Sequence, residues 1–270
     1  MLKVLSLGAG VQSTTVFLMS CLGQLERLDC AIFADTQWEP EAVYNHLLWL
    51  ESKAQEFRIP IYRVSKGNLR ADALQSKVRA IEGSRAASMP LYTKQADGSI
   101  GMIRRQCTKE YKIDVVEKKI RSLLSLKRFQ RAKPGSVEIW FGISSDEMRR
   151  VRMSDKLWKS HRYPLIFDKP TSRVGCLQWL KTNGFPEPPR SACIGCPFHS
   201  NHEWRQLKNN PKEWADAVEF DEAIRNSGGA RGDVYLHRSG VPLKYVDLRT
   251  DAEKGQGEFW DNECMGVCGV

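Results

Sequence analysis

Short apolar runs of β character alternate with amphipathic stretches over the first half of the chain, and that alternation predicts the fold. Residues 2–7 (LKVLSL) read as a buried strand, and residues 13–22 follow with helical spacing. A second apolar run at 30–33 ends in Ala34-Asp35-Thr36, and a helix is expected over 41–57, with Val43, Leu47, Leu48 and Leu50 apolar. Residues 59–64 read as a third strand and 69–81 as a further helix. Strands alternating with helices of this length indicate an α/β fold: a parallel, twisted sheet in three layers, with helices on both faces. Sheets of this kind bind nucleotides at the carboxyl ends of their strands.

The second half is less regular. Residues 82–104 lack periodicity, apart from an Asp97-Gly98 turn that predicts a small hairpin. A helix over 111–124 and a strand over 137–141 follow, after which the pattern loosens beyond Gly142. A helix is expected over 171–183, whereas GFPEPP at 184–189 cannot be helical. Ser200 with Glu203 forms a capping box that opens a helix at Asn201, another helix spans 212–225, and two short strands are expected within 234–246 around Ser239-Gly240. The expected organisation is a nucleotide-binding α/β domain over 1–168 and an irregular, cysteine-bearing extension over 169–270 packed on it.

Composition narrows the partners. No run is apolar over the length needed to cross a bilayer, and Gly8 and Gly10 interrupt the apolar N-terminus with no cleavage site behind it, so a cytoplasmic chain without a membrane partner is expected. A net charge of +9 with a pI near 9.2 favours an anionic partner, either a nucleotide or a nucleic acid. Basic residues cluster over 117–131 and 149–162; the alternative for the first cluster is the solvated face of an amphipathic helix. Eight cysteines in such a chain point to metal ligands or redox-active thiols rather than disulfides.

The first candidate site follows the first strand. Ser6, Gly8, Ala9, Gly10, Gln12, Ser13 and Thr14 form a small-residue turn into a helix, where backbone N–H groups and hydroxyls can approach phosphate oxygens at the positive end of the helix dipole. The G-K-[ST] ending of a Walker loop is absent, and Ser13 stands where the dinucleotide fingerprint needs its third glycine. The plain alternative is a tight βα turn.

Gly8-Ala9-Gly10-Val11-Gln12-Ser13 resembles the SGGxDS loop of the PP-loop ATP pyrophosphatases, and more closely its variant in the phosphoadenylyl-sulfate (PAPS) reductase family, with Gly8 for the first serine and Gln12 for the aspartate. Residues 33–40 (FADTQWEP) resemble the family's D-T-G-x-x-x-P stretch, which lies beside the adenosine; Asp35 and Thr36 are the corresponding candidates, with helix capping as their alternative. A third segment, Gly142-Ile143-Ser144-Ser145-Asp146-Glu147-Met148-Arg149-Arg150, resembles the family's G-[IL]-R-x-x-E/Q-S-x-R, and makes Gly142, Arg149 and Arg150 candidates for phosphate or sulfate contact. The resemblance implies a PP-loop (HUP-like) fold that binds ATP or a related adenine nucleotide with Mg²⁺.

The cysteines extend the resemblance. Cys107 lies in RQCTKEYKI, similar to the C-C-x-x-x-K-V segment of iron–sulfur members, and Cys193-Ile194-Gly195-Cys196-Pro197 supplies the matching CxxC. Cys107, Cys193 and Cys196 are the implied ligands of a [4Fe–4S] cluster. Cys176, Cys264 or Cys268 is the candidate fourth ligand, and a three-cysteine cluster with an open iron site is a further alternative. Zinc, with His199 or His202 completing the set, is the competing metal. Cys21 and Cys30 read as packing residues. The tail carries Glu263-Cys264 and Cys268, which resemble the attacking cysteine segment of PAPS reductases and make Cys264 and Cys268 candidate catalytic thiols.

Three functions follow from the resemblance. The first is an ATP pyrophosphatase-type enzyme that adenylates a substrate for sulfur insertion, similar to the DNA-phosphorothioation sulfurtransferases; the basic charge then suits a nucleic-acid substrate, with a cysteine desulfurase as sulfur donor. The second is a PAPS or adenylyl-sulfate reductase served by a thioredoxin-like partner. The third is a nucleotide-binding regulator or partner subunit without turnover. A homodimer is compatible with each.

Overall fold

The computed structural model describes residues 1–81, 89–226, 232–249 and 253. Five strands form a wholly parallel sheet: β1 (Leu2–Leu7), β2 (Cys30–Asp35), β3 (Ile61–Ser65), β6 (Val137–Phe141) and β7 (Lys159–Arg162), in the order β3-β2-β1-β6-β7. The chain runs outward from β1 in one direction and returns to its other side through β6. The order therefore reverses between β1 and β6, which makes the carboxyl ends of those two strands the switch point of the sheet.

Alternation along the strands explains the layers. Leu5, Leu7, Ala31, Phe33 and Trp140 face one side, where they are buried under α1 (Val11–Cys21), α2 (Glu41–Phe57) and α6 (Arg173–Thr182). Val4, Ile32, Val137 and Ile139 face the other, under Val116 and Ile120 of α4 (Asp114–Leu123). A sheet buried on both faces needs apolar residues at consecutive positions, and β1, β2 and β6 have them. The edge strand β7 does not: it reads Lys-Ser-His-Arg, and for that reason the apolar pattern gave no sign of it.

A second core gathers distant segments. The hairpin β4 (Tyr92–Lys94) and β5 (Ile100–Met102), turned at Gly98, pairs through β4 with β8 (Asp233–Tyr235). Leu69, Leu91 and Tyr111 pack there with Trp204 and Leu207 of α7 (Asn201–Lys208) and Phe220 of α8 (Pro211–Ala223). The two cores do not part at residue 168: α6 belongs to the first, and residues 89–111 belong to the second. Three elements differ from expectation. The helix expected over 111–124 begins as a π-helical stretch, Thr108–Ile113, ahead of α4. Only the first of the two strands expected within 234–246 forms, and Pro242 leads instead into a single 3₁₀ turn, Leu243–Tyr245. The remaining short helix, α5 (Pro164–Phe167), follows β7 directly. The Ser200–Glu203 capping box at α7 is present in both of its hydrogen bonds.

Candidate functional site

The loop after β1 is shaped by its own backbone. Ala9 turns through the left-handed region (φ 57°), and Gly10 precedes α1 without a side-chain cap. No acidic residue occupies the first turn of that helix, so its N–H groups and the positive end of its dipole face an uncompensated space. Ser13 closes the loop on itself: its Oγ accepts from the Gly8 N–H (3.2 Å) and donates to the Gly10 carbonyl (3.3 Å). Gly142, at the end of β6, is pressed against this loop. A Cβ there would lie 2.5 Å from the Ser13 nitrogen, so only glycine allows the two strand ends to meet.

Beside the loop lies a cavity of about 660 Å³ at the switch point. Its apolar lining comes from the α4 side of the sheet: Ala34, Ile113, Val116, Ile139 and Phe141. Its polar lining comes from Ser6, Gly8, Gly10, Gln12 and Ser13, from Arg150, Arg173, Arg190, Lys112 and Lys159, and from the carboxylates of Glu39, Glu117, Asp146, Glu147, Glu187 and Glu203. Of these carboxylates, Glu147, Glu203 and Glu117 pair with Arg150, Arg190 and Lys159. Size and mixed apolar and polar lining are those of a small-molecule pocket.

Gln12 is the hub of the polar side. Its Nε2 donates to Oε2 of the buried Glu147 (3.2 Å) and to Oγ of Ser144 (3.4 Å), and its Oε1 accepts from Nη1 of Arg173 (3.3 Å). Glu147 in turn pairs with Arg150 (2.7 Å). Arg173 is exposed at the start of α6, and its backbone N–H donates to Asp146. On the α4 side, Lys159 and Glu117 form an ion pair (2.8 Å). Burial would raise the Glu117 pKa, but Lys156 and Lys159 together hold it below the usual carboxylate range.

A strap from the C-terminal half walls the loop. Ser191 packs on Gly8 and Gly10, where Cβ atoms would lie 3.4 and 3.3 Å from its side chain, and the neighbouring Arg190 pairs with Glu203 of α7. The CxxC turn follows and docks on the β2–α2 loop. The Ile194 N–H donates to the Trp38 carbonyl (2.9 Å), and Gly195 comes so close to the Trp38 ring that a Cβ there would lie 2.1 Å from it. Thr36 donates to Glu39 (2.9 Å), and the Cys193 thiol reaches both Thr36 Oγ1 (3.3 Å) and Glu39 Oε1 (3.5 Å). Glu39 lines the cavity, so Cys193 is one side chain away from it.

The candidates from the sequence thus divide. Ser6, Gly8, Gly10, Gln12, Ser13, Gly142 and Arg150 line the cavity or, for Gly142, also brace its loop, while Ala9 is buried behind it. Thr14 is turned away: its hydroxyl hydrogen-bonds Nε2 of buried His46 (3.0 Å), whose pKa burial lowers to about 4. Asp35 accepts from the Gln37 N–H (2.7 Å) and the Tyr44 hydroxyl (2.9 Å), and Thr36 is buried on Glu39; both serve the turn rather than the cavity. Arg149 is exposed outside the lining.

Cys193 and Cys196 share one turn (Cys196 N–H to Cys193 carbonyl, 3.0 Å), and Cys107 packs on the same apolar cluster as Cys193. Cys176 lies elsewhere, in the core beneath α1, where burial raises its pKa to about 11; it is removed from the proposed ligand set. His199 is buried, bonds the Cys193 carbonyl through Nε2 (3.0 Å), and is held neutral, its pKa lowered to about 4 chiefly by burial and then by Arg190. Among the described residues, no group of three His, Cys, Asp or Glu side chains comes together to hold a metal ion. Cys264 and Cys268 lie outside the described residues. No described helix is long and apolar enough to cross a membrane.

Glu39, Glu147, Arg173 and the Arg190-Ser191 strap were not legible as site residues. Arg173 meets Gln12 across 161 positions, and no local pattern marks such a contact. A scan against protein-family models gave no match to the chain, and a search of curated proteins found no significant match either.

Proposed function

We propose that the chain binds ATP at the β1–β6 switch point and activates a nucleic-acid substrate for sulfur insertion by adenylating it, as its resemblance to PP-loop sulfurtransferases implies. The observation that carries this reading is the cavity, which an uncapped glycine-rich helix start borders together with Arg150 and Arg173, and which apolar residues of the α4 side also line. The adenine ring suits the wall of Ile113, Val116, Ile139 and Phe141. The triphosphate suits the loop N–H groups, with Arg150 and Arg173 offsetting its charge.

In that pose the loop fixes the phosphates, and Gln12 holds Glu147 and Arg173 in place around them. A substrate oxygen forms a bond to the α-phosphorus while the α–β bridging bond breaks. The pyrophosphate takes the electron pair and stays neutralised by arginine until release. A sulfide donor then displaces AMP from the activated position. Mg²⁺ needs hard oxygen donors, and Asp146, tied to the Arg173 N–H, is the carboxylate beside the loop that would supply one; bound there, the ion would offset phosphate charge. An iron–sulfur cluster or zinc would draw on Cys107, Cys193 and Cys196. The described residues do not bring three such ligands together.

Pyrophosphate release from ATP, measured with an oligonucleotide and sulfide present, tests the proposal. Activity lost on Gly10→Asp, which sets a carboxylate among the phosphates, supports it. ATP binding without pyrophosphate release would assign a regulatory role instead, and sulfite release from PAPS with reduced thioredoxin would assign the reductase reaction. Metal and sulfide analysis of anaerobically purified protein tests the cluster.

A further inference from the structure

A basic turn before β6 carries an aromatic ring that the fold leaves uncovered. Residues 125–135 contain Lys127, Arg128, Arg131 and Lys133 and no acidic residue. Phe129, in their midst, is 86% exposed, one of the most exposed large hydrophobic side chains described. The turn around it is built. Arg121 of α4 donates through Nη2 to the carbonyls of Gln130 (2.7 Å), Lys127 (3.2 Å) and Arg128 (3.4 Å), and the Gln130 side chain accepts from the Lys127 N–H (3.1 Å). A ring exposed singly is ordinary on a protein surface; this one is distinguished by its place on a braced turn whose charged residues are all cationic, so its face is offered beside four positive charges.

The turn leads straight to the edge of the sheet. The Gly135 N–H donates to the carbonyl of Leu157, itself 85% exposed, and β7 begins two residues later. The edge strand then contributes Lys159 and His161 to the cavity lining, so this surface and the cavity share one strand. Arg149, exposed beside the cavity residue Arg150, extends the positive charge to its rim.

From this the geometry points to a binding track for single-stranded nucleic acid, with a base stacked on Phe129 and the phosphates running along Lys127, Arg128, Arg131 and Lys133 beside the amino end of the edge strand. An isolated ring among cations suits a base between two phosphates. A protein partner would need a continuous apolar patch, and a duplex would offer no unstacked base to the ring. Arg128 already lies over that ring, 5.1 Å from its centroid, where it can sandwich a base or pair with a phosphate. The inference rests on the reading of the substrate as a nucleic acid and names how that substrate is held.

Fluorescence anisotropy of the full chain with a labelled 20-nucleotide oligo-dT, across a salt series, tests it. ATP binding by calorimetry is measured on the same preparations. Wild-type protein should bind the single strand more tightly than the matching duplex. Phe129→Ala should weaken binding by roughly tenfold, the loss of one stacked base. The double variant Lys127→Glu with Lys133→Glu should lower the slope of log affinity against log salt by about 1.4, the worth of two phosphate contacts on a single strand. All three substitutions lie on an exposed turn, and ATP affinity should stay unchanged. Equal binding by wild type and Phe129→Ala, or a preference for the duplex, overturns the track. So does Phe129-dependent binding to phosphatidylserine vesicles without oligonucleotide binding. Loss of ATP binding by the wild type would instead overturn the nucleotide reading, which the anisotropy does not touch.

Discussion

The loops that leave β1 and β2, Gly8-Ala9-Gly10 and Thr36-Gln37-Trp38-Glu39-Pro40, are both short and both ended by a helix, and they stand in opposite conditions. The first turns its backbone and the Gln12 side chain to an open cavity, with arginines gathered across from it. The second uses every group the family pattern would offer to a nucleotide. Asp35 caps the turn and holds Tyr44, and Thr36 holds Glu39 and touches Cys193. One loop borders the cavity, and the other is a dock for the CxxC turn. The difference lies in what packs on each: Gly142 and Ser191 brace the first from outside, whereas Trp38 and Gly195 lock the second face to face.

Both loops nevertheless stand on a buried neutral histidine, and acid should show it. His46 under Thr14 and His199 under the CxxC turn have folded pKa values lowered to about 4 from an ordinary 6.5. Between those values the unfolded chain binds protons that the folded chain refuses, so stability is full above pH 6.5 and falls as pH drops toward 4. Each group contributes up to ~3 kcal/mol of that loss. Thermal unfolding followed from pH 7 to 4.5 should show a falling Tm, and His46→Gln should flatten the fall. An unchanged slope in that variant would mean that burial does not hold the His46 ring neutral.

The next largest effects separate the two loops. Gly142→Val drives a side chain into the Ser13 backbone, and Gly195→Val drives one into the Trp38 ring. Overpacking of this kind costs roughly 1–3 kcal/mol. At Gly142 the cost should appear in the nucleotide site, as a roughly tenfold to hundredfold loss of ATP affinity. At Gly195 it should appear in stability, with ATP affinity within about threefold of wild type, since the CxxC turn touches the cavity only through Glu39. If both variants lose ATP affinity equally, the two loops form one site.

The part of this contrast that was legible in the sequence is the part made by local pattern. Apolar alternation located β1, β2, β3 and β6, and small residues after β1 marked the loop that borders the cavity. The Ser200–Glu203 pair marked a helix start because capping is a contact over three residues. What stayed hidden is made by contact across long separations: Arg173 on Gln12, Ser191 on Gly10, Cys193 on Thr36. β7 stayed hidden because an edge strand flanked by ion pairs can be polar throughout. Asp35 and Thr36 show the opposite failure, since the same residue types serve a turn and a ligand equally well, and only their partners tell which.

The smallest effects are the most discriminating, because they compare one charged side chain at each loop. Arg173 is exposed, and its guanidinium meets Gln12 through one hydrogen bond, so it gives the folded chain little stability. Arg173→Ala should leave Tm within about 1 °C and weaken ATP binding by roughly tenfold, the worth of one charge-assisted contact to a phosphate. Asp35→Ala should do the reverse. It removes the acceptor of the Gln37 N–H and the Tyr44 hydroxyl, a loss of about 1 kcal/mol, and leaves ATP affinity within twofold. Calorimetry and thermal unfolding on the two variants give four numbers. If Asp35→Ala costs affinity and not stability, the β2 loop gives up its turn when nucleotide arrives, and the carboxylate reaches the ligand after all.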